Sequence, residues 1–293
     1  MELRSLSRGL QIIGLFTYER PVLTFDEIWT HCRFPKSTLY RFLDNLTRHG
    51  LLKLNPGTKE YRLGASFIRL GQIAQKGVPL LEVCYPTMRR LSAEIGESVY
   101  LSVREGGQKV CLSCVEARNT PIKYAPTPGS VAPLHAGASG KVLLAFMPEE
   151  EMEELVEKGR LASVTPKTIT YKDRLKLRLR QIRKNGYDYS EGELVPGTWA
   201  LAFPILHPGG SAFASLTVAG TLLNPPGPGL KKLVERVRTE VRRIENELWD
   251  SEKPESTKQV ARYRKPRVRR PPQGQGPLIS TLRARPKNAV GGE

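Results

Sequence analysis

The stretch PKSTLYRFLDNLTRHGLLKLNPGTKEYRLG, residues 35–64, contains two periodicities in succession, and the change from one to the other decides the fold. Leu39, Phe42, Leu43 and Leu46 recur at three- and four-residue spacing, so residues 35–50 read as an amphipathic helix with one face turned to a core. Pro35 stands near its start and Gly50 at its end, the residue types that open and stop helices. The opposite face carries Ser37, Arg41, Asp44 and Arg48, flanked by Thr38, Tyr40 and Asn45. Hydroxyls, guanidinium groups, a phenol and an amide on one face are groups that reach phosphates or base edges. Beyond Gly50 the chain alternates into a turn at Asn55-Pro56-Gly57 and alternates out again, which reads as a β-hairpin bearing Lys53, Lys59 and Arg62.

Upstream, Leu6, Leu10, Ile13 and Phe16 mark a first amphipathic helix. After the breaker ERPVL, Thr24-x-x-Glu27 forms a capping box that opens a short second helix. Two helices, a polar third helix and a basic hairpin make a winged helix-turn-helix over residues 1–64, with double-stranded DNA as the expected partner.

Charge is distributed to match. The chain has 293 residues and a net charge of +17. Residues 1–77 carry 12 basic and 6 acidic side chains, residues 78–250 carry 23 and 20, and residues 251–293 carry 11 and 3. The ends suit a polyanion and the near-neutral middle suits another task. No apolar run approaches a membrane span, and the N-terminus lacks the apolar core and cleavage site of a signal peptide. A cytoplasmic protein without membrane contact is the expectation. Four cysteines do not make a disulfide framework in a chain this long.

Residues 65–77, with Phe67, Leu70 and Ile73 on one stripe, read as a linker helix, and Gly77 and Pro79 mark the boundary of a domain spanning 78–250. There LLEVCYPTMRRLSAEIG reads as a helix, and SVYLSVRE and QKVCLSCVEA as a hairpin about Gly106-Gly107. IKYAP, WALAFPIL and SAFASLTVAG are further strand candidates; helices are expected after residue 138, through EEEMEELVEKG and KDRLKLRLRQIRKNG, and at GLKKLVERVRTEVRRIENEL. This is an α+β pattern, an antiparallel sheet flanked by helices.

Catalytic signatures are missing from this region. PLHAGASGKVLLA (133–145) has a Gly-Lys pair, but His135 stands where a phosphate loop needs its early glycine and Val142 where it needs a hydroxyl. Cys111-x-x-Cys114 has no second pair for zinc, and on a regular strand its two thiols point to opposite faces. His135 reads as a satisfied structural histidine or a pocket-wall group. No enzyme activity, metal or cofactor is expected.

The order of these features resembles the isocitrate-lyase-regulator (IclR) type transcription factors, most closely at PKSTLYRFLDNLTRHGLL and YRLG, then at APLHAGASGKVLLAF, GYDYSEGELVPGTWALAFPI and FASLTVAG. The resemblance implies that the N-terminal segment docks the major groove as one half of a dimer. Ser37, Thr38, Tyr40 and Arg41 are then the contact positions, with Lys36 on a phosphate. It also implies that residues 78–250 are GAF-like and hold a small organic effector, often a carboxylate or aromatic acid, in a pocket lined by the three later motifs. Ala138 and Ser139 fall on the pocket loop and Ser190 where an acidic residue can stand. Ala200 replaces a Cys of some members, and Thr217 and Ala219 take the place of a frequent Ser pair. This pocket is thus expected to be more apolar than that of small-oxoacid sensors. Tyr124 and Trp199 are the aromatic candidates for its wall, and backbone N–H groups at the helix start near Ser139 are candidates for receiving a carboxylate.

Residues 251–293, which include RYRKPRVRRPP, are too poor in large apolar residues to fold and read as a disordered basic tail. Together these readings give a ligand-responsive, sequence-specific DNA-binding transcriptional regulator, a homodimer or homotetramer. The alternative is a nonspecific or architectural DNA binder whose middle domain only oligomerises.

Overall fold

The computed structural model describes residues 3–17, 20–118 and 122–249. The basic segment 251–293, expected to be disordered, lies outside the described residues.

In the N-terminal part, α1 (Arg4–Ile13), α2 (Phe25–Cys32) and α3 (Lys36–Arg48) pack on a three-stranded antiparallel sheet of order β1-β3-β2. Its strands are β1 (Val22–Thr24), β2 (Leu52–Leu54) and β3 (Glu60–Leu63). The capping box forms: the Thr24 hydroxyl accepts from the Glu27 N–H while the Glu27 carboxylate accepts from the Thr24 N–H at 2.7 Å. That second bond holds the Glu27 carboxyl below its usual range. Ile12, Leu23, Ile28, Leu39, Leu43, Leu52 and Tyr61 close the core. The end of the hairpin returns against the end of α3, where Gly64 donates to the Leu51 carbonyl at 2.8 Å. A Cβ at Gly64 would lie 2.0 Å from the Gly50 carbonyl oxygen, so only glycine permits this closure.

Two expectations for this part are corrected. The buried stripe of α1 is Gly9 and Ile12, with Phe16 just beyond, whereas Leu6 and Leu10 are more than half exposed. The helix carries apolar residues on two faces, and the neighbouring helices, not periodicity, choose which one is covered. β1 was not foreseen; three residues after a proline form a strand only because β3 offers a partner edge, with Leu23 opposite Tyr61.

α4 (Ala65–Lys76) leads to a six-stranded antiparallel sheet of order β6-β5-β4-β9-β8-β7. The strands are β4 (Ser98–Glu105), β5 (Gln108–Val115), β6 (Val131–Pro133), β7 (Asp188–Glu191), β8 (Thr198–Leu206) and β9 (Ala212–Thr221). α5 (Pro79–Ile95) and α9 (Leu230–Trp249) cover one face, where Leu91, Val99, Leu101, Phe203, Leu216, Val237 and Ile244 form the main core. α6 (Ala138–Ala145) lies on the other face, backed by α8 (Lys172–Asn185), which also packs on α7 (Glu149–Lys158).

Alternation sorts the strand residues between these layers. On β8, Trp199, Leu201, Phe203 and Ile205 join the α5/α9 core, while Ala200 and Ala202 face α6. Small residues on that second face let α6 approach closely. All eight residues of α6 are buried. At Gly140 a Cβ would fall 2.5 Å from the Leu134 carbonyl oxygen, so the Gly-Lys pair has a packing reason.

IKYAP is not a strand. The chain there is bracketed by Pro121 and Pro126, and β5 pairs instead with residues further on. Cys111 donates to the Ser130 carbonyl and accepts from Gly129, and β6 continues the ladder. β6 and β7 are short edge strands that no apolar alternation announces.

Gly140→Ala is expected to destabilise the fold by about 1–3 kcal/mol, because backbone rather than a flexible side chain must move. Urea unfolding of the variant checks this; an unchanged midpoint would mean that α6 is not held at this distance.

Candidate functional site

The polar face of α3 is open to solvent. Ser37, Arg41, Asp44 and Arg48 are exposed, as are Lys36, Tyr40 and Asn45, while Thr38 is half-buried. Several of these groups are braced. The Lys36 ammonium sits 4.7 Å from the Trp29 ring centroid, and the Tyr40 ring stacks on Phe25 at 4.2 Å. Arg48 pairs with Asp44 one turn back, and Asn45 donates to the Arg41 carbonyl at 2.8 Å. The Arg41 guanidinium has no side-chain partner among the described residues. On the hairpin, Lys53 stands directly across from Arg62. Like charges opposed across strands are unfavourable unless an anion lies between or over them. Lys59 occupies a left-handed turn position with φ 58°, and its N–H donates to the Asn55 carbonyl.

The second constellation lies at the start of α6. Tyr124, Ala138, Ser190 and Ala200, foreseen as pocket residues, line one cavity of about 10 Å³, room for a single water. Ser139 is fully buried beside it and accepts from the Tyr100 hydroxyl at 3.4 Å. Thr217 and Ala219 share the sheet face with Tyr100. Ala219 packs against Tyr100 and Cys111, and the buried Thr217 hydroxyl lies beside the Tyr100 hydroxyl without reaching hydrogen-bonding geometry.

Three expectations change here. Trp199 is not a wall of this cavity: alternation on β8 turns it into the opposite layer, where its indole donates to the Asn224 carbonyl at 3.2 Å. The N–H groups at the start of α6 are already engaged. Ala138 donates to the Ser190 hydroxyl at 3.0 Å and Gly137 to the Glu193 carboxylate at 3.3 Å. Nor do the thiols of Cys111 and Cys114 point to opposite faces. Cys111 pairs with Ser102 and Ser113 with Leu101, so Leu112 is an extra residue in a β-bulge and both cysteines face the α6 side. Burial pushes the two thiols up to about 11 and about 12, away from thiolate reactivity.

Sequence reasoning missed Lys109, which lines the same cavity. It is buried, its ammonium donates to the Ser139 hydroxyl, and it lies 5.8 Å from the Tyr100 ring centroid. Burial pulls its pKa down to about 8. The pocket is thus more polar than expected. The signal was alternation on β5, which puts Lys109 on the same face as Cys111. Lys141, by contrast, is completely buried and fully paired, with its ammonium 2.6 Å from Glu193 and 3.2 Å from Asp188, which Arg178 also binds. His135 is buried, with Nε2 2.9 Å from the Ala162 carbonyl. No group of three or more metal-ligating side chains, and no helix long and apolar enough to cross a membrane, occurs among the described residues.

Two family models match the chain in succession. Residues 5–56 match the model of the IclR helix-turn-helix domain, and residues 72–246 that of the bacterial transcriptional regulator IclR C-terminal domain. The chain is 27% identical to the HTH-type transcriptional regulator KipR of Bacillus subtilis over 84% of its own length and 97% of the relative's. It is 30% identical to the HTH-type transcriptional regulator BhcR of Paracoccus denitrificans, over 80% and 84%. Among solved structures, an IclR homolog from Microbacterium hydrocarbonoxydans complexed with 4-hydroxybenzoate superposes with a TM-score of 0.70 at 27% identity, covering 84% of this chain and 99% of that one.

Lys141→Met would leave Asp188 and Glu193 buried around a missing cation. The expected loss is about 3–5 kcal/mol of stability, read from urea unfolding. A loss below about 1 kcal/mol would show that solvent reaches the carboxylates.

Proposed function

The chain belongs to the IclR family of bacterial transcriptional regulators and is a ligand-responsive DNA-binding regulator, and from that premise we propose how its residues divide the work. Residues 1–64 read DNA, 65–77 connect, and 78–250 bind effector and oligomerise. α3 enters the major groove, with Ser37, Thr38, Tyr40 and Arg41 towards base edges. Lys36, Asn45, Arg48, Lys53, Lys59 and Arg62 supply backbone contacts, and phosphates would relieve the opposed charges of the hairpin. The observation that carries this reading is the Arg41 guanidinium, without a side-chain partner among the described residues, on a helix whose opposite face is locked by Leu39 and Leu43.

A homodimer follows from the half-site that one winged helix can cover. Leu3 just before α1, Leu6 and Leu10 on α1, and Ile68, Leu70 and Ile73 on α4 are exposed in the single chain, and that apolar exposure supports assembly with a second copy. The effector is a small organic acid held around Tyr100, Tyr124, Ala138, Ser190 and Ala200, a reading supported by the 4-hydroxybenzoate complex of the Microbacterium relative. It acts by binding one arrangement of the paired heads more tightly than another. The protein works in the cytoplasm and is not an enzyme. Ser139 has a lysine beside it, but the N–H groups that would form an oxyanion hole are held by Ser190 and Glu193.

Arg41→Ala tests the DNA reading. Against an operator selected from genomic fragments, discrimination is expected to fall at least about tenfold while nonspecific affinity and folding persist. Retained selectivity would remove α3 as the reading element. A purely architectural binder would show no preference above the salt-dependent background even in the unaltered protein.

A further inference from the structure

Two lysines are buried among the described residues, and they differ in one respect. Lys141 is enclosed by Asp188 and Glu193. Lys109 has no carboxylate partner among the described residues; its ammonium meets only the Ser139 hydroxyl and the face of the Tyr100 ring. A buried cation without a counter-ion is costly, and folds rarely retain one without a use. The groups around it are accounted for. Tyr100 on β4 and Tyr124 in the loop after β5 are both pushed well above the ordinary phenol range by burial, and the Cys111 thiol is likewise raised. Arg104, its register partner, pairs with Glu151 on α7, and Glu193, which lines the same cavity, is committed to Lys141. Nearby, the fully buried Thr217 hydroxyl has no hydrogen-bond partner among the described residues.

We propose that Lys109 is the charge-recognition residue of the effector cavity, its ammonium pairing with the carboxylate of a small monoanionic effector. The inference rests on the reading of this cavity as the effector site. It narrows the ligand class, because a single unpaired cation matches a single negative charge. A second carboxylate would meet the charge of Glu193, which lines the same cavity. It also links binding to protons. With its pKa near 8 in the free protein, Lys109 loses its proton as pH rises through that value, whereas an anion holds the proton on. Affinity for the acid therefore falls above about pH 8, towards tenfold per pH unit, and binding there takes up a proton.

The test uses the full chain and Lys109→Met, melted at pH 7 with formate, acetate, benzoate and 4-hydroxybenzoate, each beside its primary amide. At least one acid is expected to raise the Tm of the unaltered protein by roughly 4 °C or more, with its amide and the variant moved by no more than about 1 °C. Without ligand, the variant is expected to melt higher than the unaltered protein at pH 7. That gap should narrow between pH 8 and 10, because the unfolded lysine binds its proton more tightly than the buried one there. A variant that melts lower at pH 7 shows that the amine is structural and overturns the proposal. So does a panel in which no acid favours the unaltered protein over the variant. Acids that stabilise both proteins equally and change operator affinity leave the effector reading standing and remove Lys109 from it. Should the variant not fold, calorimetry of the unaltered protein at pH 8.5, in buffers of different ionisation heat, decides. Proton uptake with the stabilising acid supports the pairing, and its absence refutes it.

Discussion

The burial of α6 is the constraint on which the C-terminal part of the protein depends. A helix with no solvent face must meet neighbours all round, and the small residues Ala138, Ser139, Gly140 and Ala145 of ASGKVLLA let it meet them at close range. The close approach selects Gly140 against the Leu134 backbone and Ala200 and Ala202 on the facing strand. Larger residues of β8 are directed by alternation to the other layer, where α5 and α9 can accommodate Trp199 and Phe203. The sheet therefore separates a large-residue core from a small-residue face. The candidate effector cavity lies on the small-residue face, between the start of α6 and the short side chain of Ala200.

That same burial governs the polar groups. Anything ionic near α6 is out of water, so it is either paired or strained. Lys141 illustrates the first outcome: Glu193 bridges its ammonium and the Gly137 N–H, tying the loop after β7 to the start of α6. Ser190, on β7, caps the next N–H. The helix terminus, which in isolation would attract an anion, is satisfied from within the chain. Anion recognition at this cavity must come from another group, and Lys109 is the buried cation without a carboxylate partner among the described residues.

Legibility in the sequence followed the range of the interactions involved. The DNA-binding head was readable because its signals are local. The capping box lies within four residues, Leu39 and Leu43 within one turn, and the hairpin turn within three positions. The phase of α1 was not, since Leu6, Leu10 and Ile12 are all apolar and tertiary neighbours decide which are covered. In the effector part, three departures from the sequence expectation trace to strand geometry. Trp199 was placed by residue type without its parity on β8, and the cysteine pair by a parity that one bulged residue reverses. Lys109 follows from the same parity, which puts it on the face of Cys111, but its cover by α6 and the loop bearing Tyr124 is tertiary, and a lysine beside a Gly-Gly turn does not announce it.

A regulator needs a ligand-free state that differs from the bound one, and the difference must be larger than thermal energy for a signal to pass. A cavity with room for one water does not admit an organic acid without moving its walls. The movable parts are limited by what is locked: β4, β8 and β9 are held in the sheet centre, and α6 is pinned by Gly140 and by the Lys141 network. The described part of the loop after β5, which bears Tyr124, is held as well: the Ala117 N–H donates to the Ser98 hydroxyl, Lys123 pairs with Glu116 and donates to the Ala117 carbonyl, and two backbone hydrogen bonds tie Gly129 and Ser130 to Cys111. Every described wall of the cavity is thus braced, so the cost of opening it falls on the ligand's own pairing energy.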